Sequence, residues 1–71
     1  MIVIFGREGC APCKMVKMLL ERKKVPFEYK NAVGAEYERL SAKFGFTVPL
    51  VVKDEQGMVG YDPMRLLSLI K

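Results

Sequence analysis

The first thirty residues change from a strand pattern to a helix pattern and back, which restricts the fold more than any other sequence feature. Residues 2–5 form an unbroken β-branched and aromatic run, typical of a strand buried on both faces of a sheet. A helix is predicted from near Cys10 to about Lys23, with Pro12 in its first turn, where a missing N–H is tolerated. Residues 27–30 alternate apolar and charged side chains like a second strand. Because a helix connects the two strands, they are predicted to be parallel.

A second helix is predicted over residues 35–44. Its apolar positions recur at helical spacing, its first turn is acidic, and Gly45 follows as a stop. The first helix has a similar apolar stripe, and four of its side chains are expected to face the sheet: Met15, Val16, Leu19 and Leu20.

The last third of the chain predicts a hairpin and a third helix. Residues 50–53 and 58–61 are expected to pair around a turn at residues 54–57. Asp62 and Pro63 are typical of a helix start, with an N-cap carboxylate before a proline at the first helical position. The predicted order is β-α-β-α-β-β-α, an α/β fold with a mixed four-stranded sheet packed by three helices.

Size and composition favour one small globular domain over residues 1–71. A chain of this length buries only about 60% of its unfolded surface, and 51% hydrophobic residues suffice for a core without a metal cluster or disulfide framework. The apolar N-terminal run is too short for a signal peptide or a membrane span. We therefore expect a cytoplasmic protein that does not bind membranes.

The chain is basic, with 12 Lys and Arg residues against 8 Asp and Glu residues. Many of the cations fall on the first predicted helix: Lys14, Lys17, Arg22, Lys23 and Lys24. We interpret them as a solvated helix face. Neither a Gly-rich loop nor interleaved aromatic residues support nucleic-acid binding, whereas acidic protein partners remain compatible with this charge.

Cys10 and Cys13 are the only cysteines, and the chain has no histidine. These residues cannot form a conventional four-ligand zinc site within one chain. A purely structural disulfide is also disfavoured, because so small a loop would remove little entropy from the unfolded chain. A metal or iron–sulfur cluster bridged between two chains stays open as an alternative, as does an adaptor whose cysteines are idle.

A Cys-x-x-Cys pair at a helix start suits a redox cycle. The first sulfur, Cys10, would lie near free N–H groups and the positive end of the helix dipole, which favour the thiolate nucleophile. Cys13 would turn inward and resolve the mixed disulfide. Arg7 and Lys14 could further favour the thiolate, although Arg7 could equally be an ordinary loop charge. Pro12 would fix the first turn and influence the balance between dithiol and disulfide.

Three motifs together resemble the glutaredoxin and thioredoxin superfamily across the whole chain. They are Cys10-Ala11-Pro12-Cys13, Thr47-Val48-Pro49 and Gly60-Tyr61-Asp62-Pro63. The resemblance implies the minimal thioredoxin-like fold and a cis peptide bond before Pro49. It also implies that Thr47, Val48 and Pro49 dock the substrate backbone, and that Gly60, Tyr61 and Asp62 contact a glutathionyl group or partner protein. Asp62 could instead simply cap the last helix.

Within this superfamily, the sequence combines features of several groups. It lacks the C-P-Y-C and Gly-Gly-x-Asp-Asp motifs typical of glutaredoxins, and residues 10–15 look more like the C-G-P-C-K-M of thioredoxin. Residues 58–63 are similar to the W-S-G-F-R-P segment of the short redoxins that reduce ribonucleotide reductase. The resemblance implies a monomeric thiol–disulfide oxidoreductase without a tightly bound cofactor, which thioredoxin reductase or glutathione recharges and which reduces protein disulfides, those of ribonucleotide reductase among them.

Overall fold

A computed structural model describes residues 1–71 and confirms the predicted order of elements. The strands and helices alternate at first and end in a hairpin and a short helix: β1 Ile2–Gly6, α1 Ala11–Arg22, β2 Phe27–Asn31, α2 Ala35–Phe44, β3 Leu50–Lys53, β4 Gln56–Val59 and α3 Pro63–Leu69. The bounds of α2 agree with the prediction. None of the helices has the length and apolar character that crossing a bilayer requires.

The four strands form one mixed sheet in the order β2-β1-β3-β4. β1 pairs in parallel with β2, as the connecting helix predicts, and β3 runs antiparallel to both β1 and β4. β1 therefore has a neighbour on each side, and side chains on both of its faces are buried. This central position explains why its sequence is an apolar run and does not alternate with polar residues.

Helices cover both faces of the sheet, so that the core has two layers. The first layer lies under α1 and α3 and consists of Ile2, Ile4, Val16, Leu20, Val51, Met58, Leu66 and Leu69. The second lies under α2 and consists of Phe5, Ala32, Tyr37, Leu50 and Val52. Successive strand residues enter opposite layers, as the twofold repeat of a strand requires.

The prediction that Met15 of α1 faces the sheet is wrong. Met15 is 45% exposed, whereas Val16 and Leu20 are fully buried and Leu19 is half-buried. The buried face of α1 follows Cys13, Val16 and Leu20, which are spaced three and four residues apart. Met15 is displaced from Val16 by about 100° around the helix, so its side chain lies at the solvent-facing border.

The predicted bounds of the second hairpin strand, residues 58–61, are wrong. β4 begins at Gln56, two residues earlier than expected, and Lys53 pairs with Gln56 across a tight turn at residues 54–55. Gly57 is thus a strand residue that pairs with Val52. A Cβ at Gly57 would lie 2.7 Å from the ring of Phe44, so that only glycine lets α2 approach β4 this closely.

Candidate active site

The start of α1 is organised by Cys10. Its backbone is extended (φ −92°, ψ 107°), and it is the N-cap residue, immediately outside the helix. Its Sγ accepts a hydrogen bond of 3.1 Å from the Cys13 N–H, and its carbonyl accepts one of 3.2 Å from the Lys14 N–H. Pro12 lies in the first turn, as predicted. The sulfur of Cys10 thus takes the place that a serine or aspartate oxygen takes at other helix starts.

The two cysteines differ sharply in exposure. Cys13 is 1% exposed, whereas Cys10 is half-buried. The structure joins them in a disulfide with a Cα–Cα separation of 5.3 Å. A partner that attacks this disulfide from solvent therefore reaches the sulfur of Cys10 first.

A depression of about 240 Å³ lies beside Cys10. Its lining includes Arg7, Lys14 and Lys17, with Glu8 as the one acidic side chain. The structure thus brings the two predicted cations, Arg7 and Lys14, to the same depression as the Cys10 sulfur. This excess of positive charge favours anionic groups near the sulfur, whether its own thiolate or an acidic part of a substrate.

The second and third motifs meet each other through a backbone hydrogen bond. The Gly60 N–H donates to the carbonyl of Pro49 at 2.9 Å. Pro49 is buried, Val48 is half-buried against the second core layer, and Thr47 is exposed. Tyr61 packs against the first core layer. The peptide bond between Val48 and Pro49 is cis.

Asp62 caps α3. Its Oδ1 accepts a hydrogen bond of 3.3 Å from the Arg65 N–H, and Pro63 begins the helix. This geometry confirms the capping interpretation. The lining of the depression beside Cys10 contains Arg7 and Lys14, but it contains neither Asp62 nor the Thr47-Val48-Pro49 segment.

Tyr29 lies at the cysteine pair, a position that sequence analysis missed. It pairs with Ile4 of β1, and its ring lies below α1, with the Lys17 Nζ 5.1 Å from the ring centroid. A Cβ on Gly6 would collide with the Tyr29 hydroxyl and would lie 3.0 Å from the Cys13 Sγ. The hydroxyl and the buried sulfur therefore approach the same side of Gly6.

Potential metal ligands are sparse. No group of three or more His, Cys, Asp or Glu side chains is placed to hold a metal ion. The alternative of a shared cluster would thus depend on ligands from outside this chain.

The sheet order and the Cys-x-x-Cys pair at the start of the first helix define a thioredoxin-fold redox protein. The sequence model of the Glutaredoxin family matches residues 2–58, and the chain belongs to this family. It is similar to the Glutaredoxin-like protein NrdH of Lactococcus lactis subsp. lactis, with 28% identity over an alignment of 71 positions that covers 97% of this chain and 99% of that protein.

Solved structures of similar proteins have the same fold. The glutaredoxin of Archaeoglobus fulgidus superimposes with a TM-score of 0.84 at 28% identity, over 99% of this chain and 85% of that one. The methanoredoxin of Methanosarcina acetivorans gives a TM-score of 0.79 at 26% identity, over 97% and 82% of the two chains. Together with the Cys10–Cys13 pair, these comparisons make the chain a glutaredoxin-like thiol–disulfide oxidoreductase.

Proposed function

We propose that Cys10 is the nucleophile of a dithiol cycle that reduces protein disulfides. The observation that carries this proposal is the position of Cys10 as the N-cap of α1, where its sulfur already accepts a backbone N–H. That hydrogen bond, the helix dipole and the neighbouring cations all favour the thiolate over the thiol. The Cys10 thiolate attacks one sulfur of the substrate disulfide, forms a mixed disulfide and releases the other sulfur as a thiolate.

Cys13 then resolves the mixed disulfide. Its thiol loses a proton to solvent and attacks the Cys10 sulfur, which forms the Cys10–Cys13 disulfide and releases the reduced substrate. Two electrons have then passed from the two cysteines to the substrate. Burial of Cys13 supports this assignment, because a shielded thiol reacts with its neighbour and not with proteins in solution.

The surroundings of Cys10 supply the proposed substrate contacts. Arg7 and Lys14 would hold an anionic part of the substrate in the depression beside the sulfur. The exposed Thr47 and the backbone of Val48 before Pro49 would pair with an extended substrate segment. Gly60, Tyr61 and Asp62 would contact a glutathionyl group or a partner protein, and the hydrogen bond from Gly60 to Pro49 links this segment to the substrate-docking one.

The proposed electron source and acceptor are those of the short redoxins that residues 58–63 resemble, and the similarity to NrdH supports this choice. Residues 1–71 would act as one monomeric cytoplasmic domain without a tightly bound cofactor. Thioredoxin reductase would recharge the disulfide, with glutathione as the alternative reductant. The acceptor would be the disulfide of a ribonucleotide reductase, and the protein would thereby serve in electron transport.

Reduction of the Cys10–Cys13 disulfide by two NADPH-linked systems tests this proposal. One system contains thioredoxin reductase, and the other contains glutathione with glutathione reductase. A double variant, Cys10→Ser with Cys13→Ser, serves as the blank. Fast NADPH consumption with thioredoxin reductase alone is the expected result. Consumption with glutathione alone would make glutathione the reductant, and no consumption in either system would contradict a general dithiol role.

A trapping experiment separates the roles of the two cysteines. With Cys13→Ser, the mixed disulfide between Cys10 and a disulfide-containing substrate should accumulate, because no second thiol resolves it. Mass spectrometry of the non-reduced adduct identifies the attached cysteine. An adduct on Cys13 in the Cys10→Ser variant at the same rate would reverse the assignment.

A further inference from the structure

The Tyr29 hydroxyl lies in a place where it can act on Cys13. Tyr29 and Ile4 are paired across two neighbouring strands, and paired residues point to the same face of a sheet. Gly6 follows Ile4 by two residues and therefore presents that same face to α1. Gly6 has no side chain, and the position that its Cβ would occupy is flanked by the Tyr29 hydroxyl and, at 3.0 Å, by the Cys13 Sγ.

This hydroxyl has no partner within the disulfide form of the protein. It takes part in none of the side-chain hydrogen bonds of the structure. Tyr29 is 37% exposed and lines the depression beside Cys10. A tyrosine O–H is both a donor and an acceptor. It is thus free to donate to a sulfur that acquires charge when the disulfide opens.

We propose that the Tyr29 hydroxyl donates a hydrogen bond to the Cys13 sulfur whenever that sulfur is a thiolate, and thereby promotes both formation and release of the Cys13 thiolate. This inference rests on the proposed function of Cys13 as the resolving thiol. The geometry assigns Tyr29 a role at the second sulfur, whereas the helix N-terminus acts on the first.

The hydrogen bond acts in both directions of the cycle. During resolution, Cys13 gives its proton to solvent, and the hydroxyl stabilises the resulting thiolate before it attacks the Cys10 sulfur. During recharging, a donor thiolate attacks Cys10, the Cys10–Cys13 bond breaks, and its electron pair leaves on Cys13. Tyr29 keeps its own proton throughout, so that it changes the energy of the charged sulfur without entering the electron balance.

Other charged groups lie close enough to require controls. The depression is lined by four of them: Arg7, Glu8, Lys14 and Lys17. Of these, the Lys17 ammonium lies over the Tyr29 ring. Replacement of Tyr29 by phenylalanine keeps this ring and its attraction for the ammonium but removes the hydroxyl. Tyr29→Phe therefore separates the hydrogen bond from the electrostatic effect of Lys17.

Titration of Cys13 in isolation tests the proposal. In a Cys10→Ser background, Cys13 is the single thiol, and ultraviolet absorbance of its thiolate gives the pH midpoint of ionisation. Addition of Tyr29→Phe should raise this midpoint by about one pH unit, the equivalent of an about tenfold smaller ionisation constant for the loss of one hydrogen bond to a charged group. Tyr29→Leu should raise the midpoint at least as far.

A second tyrosine provides the matched control. Tyr37 donates its hydroxyl to the Phe46 carbonyl in the other core layer, so that Tyr37→Phe also removes one tyrosine hydroxyl. It should lower stability without a shift of the Cys13 midpoint. An unchanged midpoint in Tyr29→Phe, or equal shifts in Tyr29→Phe and Tyr37→Phe, would overturn the proposal. Because the assay follows ionisation and not turnover, this failure would be distinct from a failure of the proposed dithiol cycle.

Discussion

The starts of α1 and α3 are built alike but are used differently. Each has a proline in its first turn and an N-cap side chain that accepts the N–H three residues on. At α1 the acceptor is the sulfur of Cys10, 3.1 Å from the Cys13 nitrogen, and at α3 it is an oxygen of Asp62, 3.3 Å from the Arg65 nitrogen. Both sites therefore stabilise negative charge at the N-terminus of a helix.

The difference lies in the atom that receives this stabilisation. A carboxylate is already ionised at neutral pH, so at α3 the interaction contributes to folding. An unperturbed thiol is mostly protonated at neutral pH, so in the proposed cycle the same interaction at α1 would increase the population of the Cys10 thiolate. With the proposed role of Cys10, one local structure would thus serve stability at α3 and reactivity at α1.

The largest effect that can break this comparison is expected from Cys10→Ser. Serine is a preferred N-cap residue, so the reduced variant should keep its free energy of unfolding within about 0.5 kcal/mol. Turnover of disulfide substrates should fall to background, because a hydroxyl does not replace the thiolate. Urea denaturation and the NADPH-linked assay measure the two quantities, and substantial dithiol activity in this variant would contradict the role of Cys10.

The next largest effect is expected from Gly6→Ala, which fills the space beneath the turn that holds Cys10 and Cys13. A methyl group at Gly6 would meet the Tyr29 hydroxyl and the Cys13 sulfur, so Gly6→Ala should reduce stability by about 1–3 kcal/mol. It should also alter the ionisation of Cys13. Gly57→Ala is the matched control, since its methyl would meet Phe44 on the opposite face. This control should destabilise the protein and leave Cys13 unaffected; equal effects on Cys13 would show that the crowding acts through global stability.

A smaller effect is expected at the second helix start. Asp62→Ala should lower the free energy of unfolding by about 1 kcal/mol, because the Arg65 N–H loses its acceptor. Asp62→Asn keeps an acceptor oxygen and should retain most of the stability. Urea denaturation gives the comparison, and a separate rise of KM in Asp62→Asn would indicate that the charge also contacts the partner. Equal loss of stability in both variants would contradict the capping role.

The smallest expected effect concerns the start of α2, which extends the comparison to a third helix. Its N-cap residue, Gly34, offers no side-chain acceptor. Glu36 in its first turn instead accepts a hydrogen bond of 3.0 Å from the Lys30 Nζ. This hydrogen bond, then the charges of Glu36 and Glu28, raises the pKa of Lys30 above its ordinary value.

Because the pKa of Lys30 is raised in the folded protein, the contribution of the Lys30–Glu36 interaction to stability depends on pH. It is fully present below the lysine pKa of the unfolded chain and is lost as pH rises through the higher folded-state pKa. Glu36→Gln should therefore be slightly less stable than the parent protein at neutral pH, and the difference should shrink in strongly alkaline buffer. Urea denaturation at the two pH values checks this, and a difference that grows with pH would contradict the assignment.

Local signals in the sequence were sufficient for most of the fold and for the cysteine turn. The bounds of α2 follow from helical spacing and the stop at Gly45, and the cap at Asp62 follows from the residue type and the proline after it. The Cys10–Cys13 turn is predictable for the same reason. All of its determinants lie within one turn of helix.

Features that depend on tertiary contacts were missed. Glycine is typical of turns, and only the close contact with the ring of Phe44 explains why this strand has a glycine at position 57. Exposure of Met15 depends on the angle at which α1 packs. The approach of Tyr29 to Cys13 depends on the register of β1 against β2, which no local pattern specifies.

The outer strands of the sheet have a consequence for the protein at high concentration. β2 and β4 each leave one row of backbone groups unpaired, where a strand from another chain could add. β2 carries Glu28 and Lys30 along this edge, and β4 is only four residues long. Charged and short edge strands disfavour such growth. We therefore expect the sheet to resist edge-to-edge aggregation.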